Sequence, residues 1–321
     1  MDYCKVQALR NKWQMFKLII CILLLLFPAA SYAKDLKVVV IVKAGNRTPY
    51  NQAADAFENR LQKKAKISQY ILDETGGKKE LIRKIDNDNP DLIFTAGTFA
   101  TRVLLPEFCE IPIVFSMILN PVRLKFAADW SGSGNNLAGT ALDIPLEEQF
   151  KWIKRIMPNI RQVGVIWQME YSRDIIKTAA SIAQKEGIEL IARRIDGIEG
   201  IIPALETLCQ KVDLLWAIPD PGVYNRKTIR QILLFTLRHK FPFMGASEQY
   251  VKAGAFFCLS ANYKEQGNEA AAIAIRILNG ADPSKIPVRL PHDIGLGINM
   301  NTSKLLGINI PPKLLKDAVK Y

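Results

Sequence analysis

Short apolar runs alternate with amphipathic segments along the chain from residue 36 onward. The runs Leu36–Val42, Asp91–Thr95 and Ile111–Ser116 have the length of buried strands, and the segments between them carry apolar residues at helical spacing. The same alternation extends to Tyr263–Asn279, an alanine-rich helical segment that ends before Gly280. Strands that alternate with helices indicate a parallel sheet covered by helices on both faces. The pattern therefore predicts an α/β fold.

The strand–helix pattern restarts near Arg161, and predicted strands of the second half match those of the first half in the same order. The matched pairs are Val38–Val42 with Val163–Trp167, Pro90–Ile93 with Val212–Leu215, and Ile111–Ser116 with Phe241–Gly245. Three matches in sequence argue for an internal repeat. We therefore predict two similar doubly wound parallel-sheet lobes. If the carboxyl ends of the two sheets face each other, the loops at those ends line one cleft.

Polar side chains follow the predicted strands in both halves, at positions that would line this cleft. Hydroxyls, amides, one carboxylate and an aromatic ring suit the recognition of a small zwitterion or polar solute. Glu248 is a further candidate beside this set. The candidate ligand-binding residues are Asn46, Gly97, Thr98, Ser116 and Asn120 in the first half, and Gln168, Tyr171, Ser172, Asp220 and Ser247 in the second.

The stretch Asn89–Ser116 is predicted to form a strand, a tight turn, a helix and a second strand. Gly97 provides backbone freedom in the turn, and Thr98 is predicted to be the N-cap of a helix that runs to about Phe108. Free backbone N–H groups at the start of this helix would donate hydrogen bonds to a ligand carboxylate. A plain βαβ packing unit without a ligand is the alternative.

The second half offers partners for the other parts of a zwitterion. Asp220 would balance an amino group, and Tyr171 or Trp167 would stack on an apolar side chain. Structural explanations stay open, because Ser172 and Thr98 can be N-caps, Asp220 lies in a Pro-Asp-Pro-Gly turn sequence, and Trp167 can fill the core. The chain lacks a nucleophile–base pair, a GxGxxG after the first strand and a GxSxG, so we expect no enzymatic activity.

The chain has 321 residues and a net charge of +12, and its first 33 residues have the pattern of a secretory signal peptide. Four basic residues precede or adjoin the apolar run Leu18–Phe27. Ser31 and Ala33 are small residues at the two positions that a signal peptidase recognises. Cleavage after Ala33 removes these four basic residues and one acidic residue, so about +9 remains. This pattern predicts a periplasmic protein. An uncleaved anchor is the alternative, although the apolar run is short for a membrane span.

The remaining composition excludes several classes of site. Basic residues are scattered over predicted helix faces rather than clustered with aromatic residues, which argues against nucleic-acid binding. Cys109, Cys209 and Cys258 lie beside apolar residues without CxxC spacing, so we expect buried free thiols, with one disulfide left open as an alternative. His239 and His292 show no metal-like spacing, and we expect neither a metal nor a cofactor.

Seven segments in order show a resemblance that covers nearly all of the mature chain. They are Asn89–Ile93, Ile111–Phe115, Asn136–Thr140, Arg161–Ile166, Val251–Ala255, Ala274–Gly280 and Ile298–Ile308. In these segments the chain resembles the periplasmic substrate-binding proteins of ABC importers, which include tryptophan- and other amino-acid-binding members. The resemblance implies a class I periplasmic-binding fold, with two lobes joined by a three-strand hinge, and a solute receptor without catalytic chemistry. Asp220 matches the Pro-Thr-Asp-Asn pattern of that family, although its neighbours differ.

The resemblance also implies lobe boundaries and partners. The N-terminal lobe would comprise residues 34–142 plus 261–287, and the C-terminal lobe residues 143–260 plus 288–321. The protein would be a monomer that delivers a small polar solute, such as an amino acid or a related compound, to the permease of an ABC importer. A ligand-sensing periplasmic protein of the same fold, which signals to a membrane kinase without transport, is the alternative.

Overall fold

Two β-sheets, each with helices packed against it, make up the described structure. The computed structural model describes residues 36–72 and 77–321, so the predicted signal peptide lies outside the described residues. Val38–Tyr321 forms one compact unit. No helix within the described residues is long and apolar enough to cross a membrane.

The first sheet is formed by the first half of the chain. Its strands are β1 (Lys37–Lys43), β2 (Ala65–Ile71), β3 (Leu92–Ala96), β4 (Ile113–Ile118) and β5 (Leu137–Ala141). They lie in the order β2-β1-β3-β4-β5. The pairs β1–β3, β3–β4 and β4–β5 are parallel. Every residue of β3, β4 and β5 is buried, as expected for a parallel sheet that is covered on both faces.

The second sheet is formed by the second half of the chain. Its strands are β6 (Gln162–Trp167), β7 (Glu189–Arg194), β8 (Leu214–Trp216), β9 (Phe243–Met244), β10 (Phe257–Ala261), β11 (Ile294–Ile298) and β12 (Val319–Lys320). They lie in the order β12-β11-β10-β9-β8-β6-β7. The pair β10–β11 is antiparallel, and the pairs β6–β7, β6–β8, β8–β9, β9–β10 and β11–β12 are parallel. The fold class predicted from the sequence is confirmed.

Helices connect most of these strands. They are α1 (Thr48–Leu61), α2 (Lys78–Asp88), α3 (Thr98–Leu104), α4 (Leu146–Ile156), α5 (Met169–Lys185), α6 (Ile201–Cys209), α7 (Ile229–Arg238), α8 (Glu248–Lys252), α9 (Tyr263–Leu278), α10 (Met300–Leu306) and α11 (Pro312–Asp317). Short 3₁₀ turns occur at Ile198–Gly200 and Pro283–Lys285.

Helix α9 packs on the first sheet although it comes late in the chain. Its Ala270 and Ala274 share a buried cluster with Phe57 of α1 and with the first sheet. A Cβ at Gly267 would lie 2.1 Å from the backbone oxygen of Ala53, so only glycine permits this close approach of α9 to α1. Small residues therefore determine where this helix lies.

The chain passes between the two sheets after β5, after β10, and along residues 287–293 before β11. We call these three passages the hinge. Arg289 ties the third passage to strand β5, because its N–H donates to Gly139 O at 3.0 Å and its carbonyl accepts from Ala141 N at 2.9 Å. The lobe boundaries expected from the sequence stay a prediction.

Several element boundaries differ from the sequence prediction. Helix α3 ends at Leu104 rather than near Phe108. The sequence predicts a helix over Asn225–Lys240, whereas α7 begins at Ile229, because Asn225 starts a turn in which its N–H donates to Thr228 Oγ1 at 3.1 Å. The hydrophobic pattern also did not indicate α8, α10 and α11, which have five to seven residues each.

The three cysteines of the described chain are free thiols. Cys258 is buried and Cys209 is partly buried, as expected, whereas Cys109 is exposed. The prediction of a buried thiol is therefore wrong for Cys109. This residue lies in the bend between α3 and β4, outside any regular element, so the apolar residues beside it in sequence do not cover it.

Candidate functional site

The turn after β3 is shaped by a steric contact rather than by a side-chain cap. Gly97, not Thr98, is the N-cap residue of α3, and Thr98 is the first helical residue. The predicted capping role of Thr98 is therefore wrong. Gly97 has a φ of +104°, and a Cβ there would lie 2.9 Å from the Cζ atom of Tyr50. Glycine is thus required both by backbone conformation and by the ring of Tyr50 that lies against this turn.

Ser116 lies inside the first sheet rather than at the end of a strand. Strand β4 continues to Ile118, so Ser116 is fully buried, and its hydroxyl forms a 2.8 Å hydrogen bond with the hydroxyl of Thr140. This pair joins β4 to β5. The expectation that Ser116 lines a cleft is therefore corrected, because the strand extends two residues beyond the predicted end.

Asn120 lies in the turn after β4, where its backbone has a φ of +49°. Its N–H donates to Asp143 Oδ2 at 2.7 Å, and its side-chain oxygen accepts from Arg123 N at 3.1 Å. Asp143 follows β5 at the first hinge passage. Burial raises the pKa of Asp143 to about 6, and the hydrogen bond from Asn120 opposes that rise. Asn120 thus links the strand-end turn to the hinge.

Asn46 lies in the loop after β1 and is exposed. Its side-chain oxygen Oδ1 accepts a hydrogen bond from Asn51 Nδ2 at 2.8 Å.

Asp220 and Ser172 lie inside the second lobe, and each is only 1 % exposed. The Oδ2 atom of Asp220 accepts from Gln168 N and from the Ser172 hydroxyl, both at 2.8 Å. Its Oδ1 atom accepts from Gly222 N at 3.0 Å and from Val223 N at 3.3 Å. Both carboxylate oxygens are therefore engaged by the protein. This arrangement, which we call the Asp220 turn, favours the structural explanation of Asp220 and Ser172 over a ligand contact.

Gln168 and Tyr171 lie at the start of α5, beside the Asp220 turn. The side chain of Gln168 covers Gly222 so closely that a Cβ at Gly222 would lie 1.9 Å from Gln168 Oε1. The ring of Tyr171 is approached by the guanidinium of Arg123, whose Cζ lies 5.0 Å from the ring centroid. Arg123 belongs to the segment after β4, so this cation–π contact joins the two lobes.

Ser247 is the N-cap residue of α8, but its side chain makes no capping hydrogen bond. The next residue, Glu248, faces a cavity of about 720 Å³ that we call the hinge cavity. Helix α1 of the first lobe, helices α4 and α8 of the second, the hinge and helix α11 all contribute to its walls. Its principal side chains are Thr48, Gln52, Trp152, Glu248, Lys252 and Tyr263. Among the predicted residues, only the further candidate Glu248 lies in this lining.

The neighbours of Glu248 include phenol and thiol groups that are neutral near pH 7. Burial, and then a hydrogen bond to Glu248, raise the pKa of Tyr321 to about 12. Burial and the charge of Glu248 likewise raise the pKa of Cys258 to about 12 and raise the pKa of Tyr263. Tyr321, Cys258 and Tyr263 are therefore neutral neighbours of Glu248 near pH 7.

The start of α1 adds a partial positive charge to the same cavity. Thr48 and Pro49, the first residues of the fourteen-residue helix α1, line the cavity, and the N-cap residue Arg47 makes no side-chain capping hydrogen bond. The positive end of a helix dipole therefore faces the cavity from the first lobe. The sequence Thr48-Pro49 predicts a helix start with Thr48 as the N-cap residue. The structure shows Thr48 as a helical residue instead.

A second cluster of polar groups lies on the surface beside the hinge. Oxygen atoms of Glu265 and Glu269 and a ring nitrogen of His292 lie within 4.8 Å of one another. The expectation that His292 has no metal-like neighbours is therefore corrected. Spacing along the chain could not show this group, because His292 comes from the third hinge passage and the two glutamates from α9. The group is partly exposed and carries no other sign of a metal site.

Comparisons with known proteins agree with this fold and arrangement. A tyrosine-binding protein from Clostridioides difficile (strain R20291) is 24% identical over 245 residues, which are 76% of this chain and 70% of that protein. The ligand-free, open structure of a substrate-binding protein with adhesive properties from Clostridium difficile has a TM-score of 0.72 at 20% identity. That match covers 89% of this chain and 99% of the other chain.

A second solved structure is an ABC domain from Streptococcus pneumonia in complex with L-Trp. It has a TM-score of 0.63 at 18% identity and covers 89% of this chain and 99% of the other chain. These structural matches show the shared two-lobed fold. The sequence model of the family described as "ABC transporter substrate binding protein" matches residues 55–321. The chain therefore belongs to the family of ABC transporter substrate-binding proteins.

Proposed function

We propose that the protein captures an amino acid, or a closely related small zwitterion, between its lobes and delivers it to an ABC importer. Family membership supports the receptor role. The names of two similar proteins support the class of ligand, since one is a tyrosine-binding protein and the other was solved in complex with L-Trp.

The observation that carries the proposal is the hinge cavity. Its volume of about 720 Å³ lies within the range of small-molecule pockets, which is roughly 300–1,000 Å³. One wall carries the carboxylate of Glu248, and another wall carries the positive start of α1. Because the two walls belong to different lobes, a zwitterion that contacts both favours the closed arrangement of the lobes.

The receptor role needs no catalytic chemistry. The thiol of Cys258, which lies next to Glu248, has a pKa of about 12 because it is buried, so it is protonated and a poor nucleophile at neutral pH. In our proposal the protein is secreted to the periplasm, acts as a monomer and docks on a permease after closure.

Thermal unfolding of the purified mature protein in the presence of each standard L-amino acid tests this function. A ligand at 100 times its Kd adds about 2.7 kcal/mol to the unfolding free energy, which raises Tm by about 5 °C or more. Native mass spectrometry of the same preparation detects a ligand that co-purifies with the protein. The proposal fails if no amino acid raises Tm and no amino acid co-purifies.

A further inference from the structure

Glu248 is the partly buried carboxylate of the hinge cavity, whereas Asp293 and Asp317, which also line it, are exposed. Glu248 is the first residue of α8, directly after the turn that follows β9. Its side chain is partly buried and lines the cavity together with Gln52 of the first lobe. A group bound against Glu248 therefore lies beside the hinge and between the two lobes.

The neighbours of Glu248 include phenol and thiol groups whose pKa values are raised. The hydroxyl of Tyr321 donates a hydrogen bond to it. Its charge raises the pKa values of Cys258 and Tyr263, after the larger effect of burial on each, so these neighbours stay protonated. A partly buried carboxylate with a single phenol donor retains unused acceptor capacity.

Within the described residues, no lysine, arginine or histidine side chain forms an ion pair with Glu248. Lys252, one helical turn later, also lines the cavity, but its Nζ atom lies over the ring of Tyr321, 5.2 Å from the centroid. This cation–π contact places the Lys252 ammonium on the aromatic ring. Lys313, the other lysine of the cavity lining, is exposed.

We propose that Glu248 binds the ammonium group of the ligand and thereby selects solutes that carry a protonated amine. This inference rests on the proposed function and names the residue that recognises the amino group. The charge-assisted hydrogen bond forms inside a cavity partly shielded from water, where such bonds are stronger than on an open surface. The wall formed by the start of α1 then lies on the side of the ligand carboxylate.

Calorimetric titration of the Glu248→Gln variant tests this assignment. Glutamine has the same size, and its carbonyl oxygen can still accept from the Tyr321 hydroxyl, so the fold is expected to remain intact. The probes are L-tyrosine, L-tryptophan and the other standard L-amino acids that bind the unaltered protein, together with the deaminated analogue of each. We expect the variant to bind amino acids about 10- to 100-fold more weakly, because one hydrogen bond to a charged group is lost.

Two controls make the result specific. Glu206→Gln removes an exposed carboxylate from α6 in the same lobe and is expected to leave every affinity unchanged. The deaminated analogues lack the ammonium group, so Glu248→Gln should change their affinity by less than about twofold. Thermal unfolding of both variants without ligand checks that they are folded.

The possible outcomes separate this inference from the proposed function. If the unaltered protein binds amino acids and Glu248→Gln binds them equally well, Glu248 is not the ammonium site, although the receptor function stands. If the variant loses affinity equally for amino acids and their deaminated analogues, Glu248 shapes the cavity without recognising the amine, and the inference is overturned. If the unaltered protein binds no amino acid, the proposed function and this inference both fail.

Discussion

Asp220 and Glu248 are both acidic residues that follow strands of the second sheet, yet their surroundings differ. Asp220 follows β8, is 1 % exposed and receives hydrogen bonds from Gln168, Ser172, Gly222 and Val223. Glu248 follows β9, faces the hinge cavity and receives a hydrogen bond from Tyr321. The difference shows that position at a strand end does not make a carboxylate available to a ligand. A carboxylate is available to a ligand where the protein itself supplies few hydrogen-bond donors to it.

The largest expected effect is on stability, at the Asp220 turn. Asp220→Ala removes the acceptor for three backbone N–H groups and one hydroxyl, all near the carboxyl end of the second sheet. We expect the free energy of unfolding to fall by about 4 kcal/mol, because several buried donors lose their partner. Urea denaturation measures this change.

Glu248→Gln is the matched comparison, with an expected change in unfolding free energy below about 1 kcal/mol. A loss below about 1 kcal/mol for Asp220→Ala would contradict the structural role of the Asp220 turn. It would return Asp220 to the set of candidate ligand contacts.

The next effect concerns the pH dependence of stability at the hinge. Folding raises the pKa of Asp143 from 3.8 to about 6, chiefly by burial. Between about pH 4 and 6 the folded protein therefore holds a proton that the unfolded chain has released, so this group makes stability fall as the pH rises.

Asp143→Asn should remove that fall and add about 2 kcal/mol to the unfolding free energy at pH 7, because the amide oxygen still accepts from Asn120 N–H. Unfolding measured at a series of pH values between 4 and 7 checks this. Parallel stability curves for the variant and the unaltered protein would show that Asp143 is solvated rather than buried.

The smallest effect is at the contact between Arg123 and Tyr171. A double-mutant cycle with Arg123→Ala and Tyr171→Ala should give a coupling energy of about 0.5–1 kcal/mol, as for other exposed cation–π pairs. Tyr171→Phe keeps the ring and should preserve most of this coupling. A coupling energy near zero would mean that the two lobes do not touch at this point in solution.

The regular elements of the fold could be predicted closely from the sequence. The sequence pattern predicts strands at Gln162–Trp167 and Glu189–Arg194, which are the observed limits of β6 and β7, and a helix through about Glu186, one residue beyond the observed end of α5. These elements are long enough to show their periodicity and are bounded by clear turn residues. The helices α8, α10 and α11 have five to seven residues each, which is too short for the helical period to be visible in the sequence.

The candidate site was harder to predict, for physical reasons that differ between residues. Ser116 was misplaced because β4 extends to Ile118, which turns a loop position into a buried one. The hinge cavity combines α1, α8 and the C-terminal helix α11, which lie far apart in sequence. Only the folded chain brings these segments together, and no local pattern marks them as neighbours.

The location of the ligand tests the central claim most directly. A crystal structure of the protein grown with an amino acid that raises its Tm would show where the ligand lies. We predict electron density in the hinge cavity, with the ligand nitrogen within hydrogen-bond distance of Glu248 and the carboxylate toward the start of α1. Density confined to the strand-end turns around Thr98, Asn120 and Asp220, without contact to Glu248, would contradict the account.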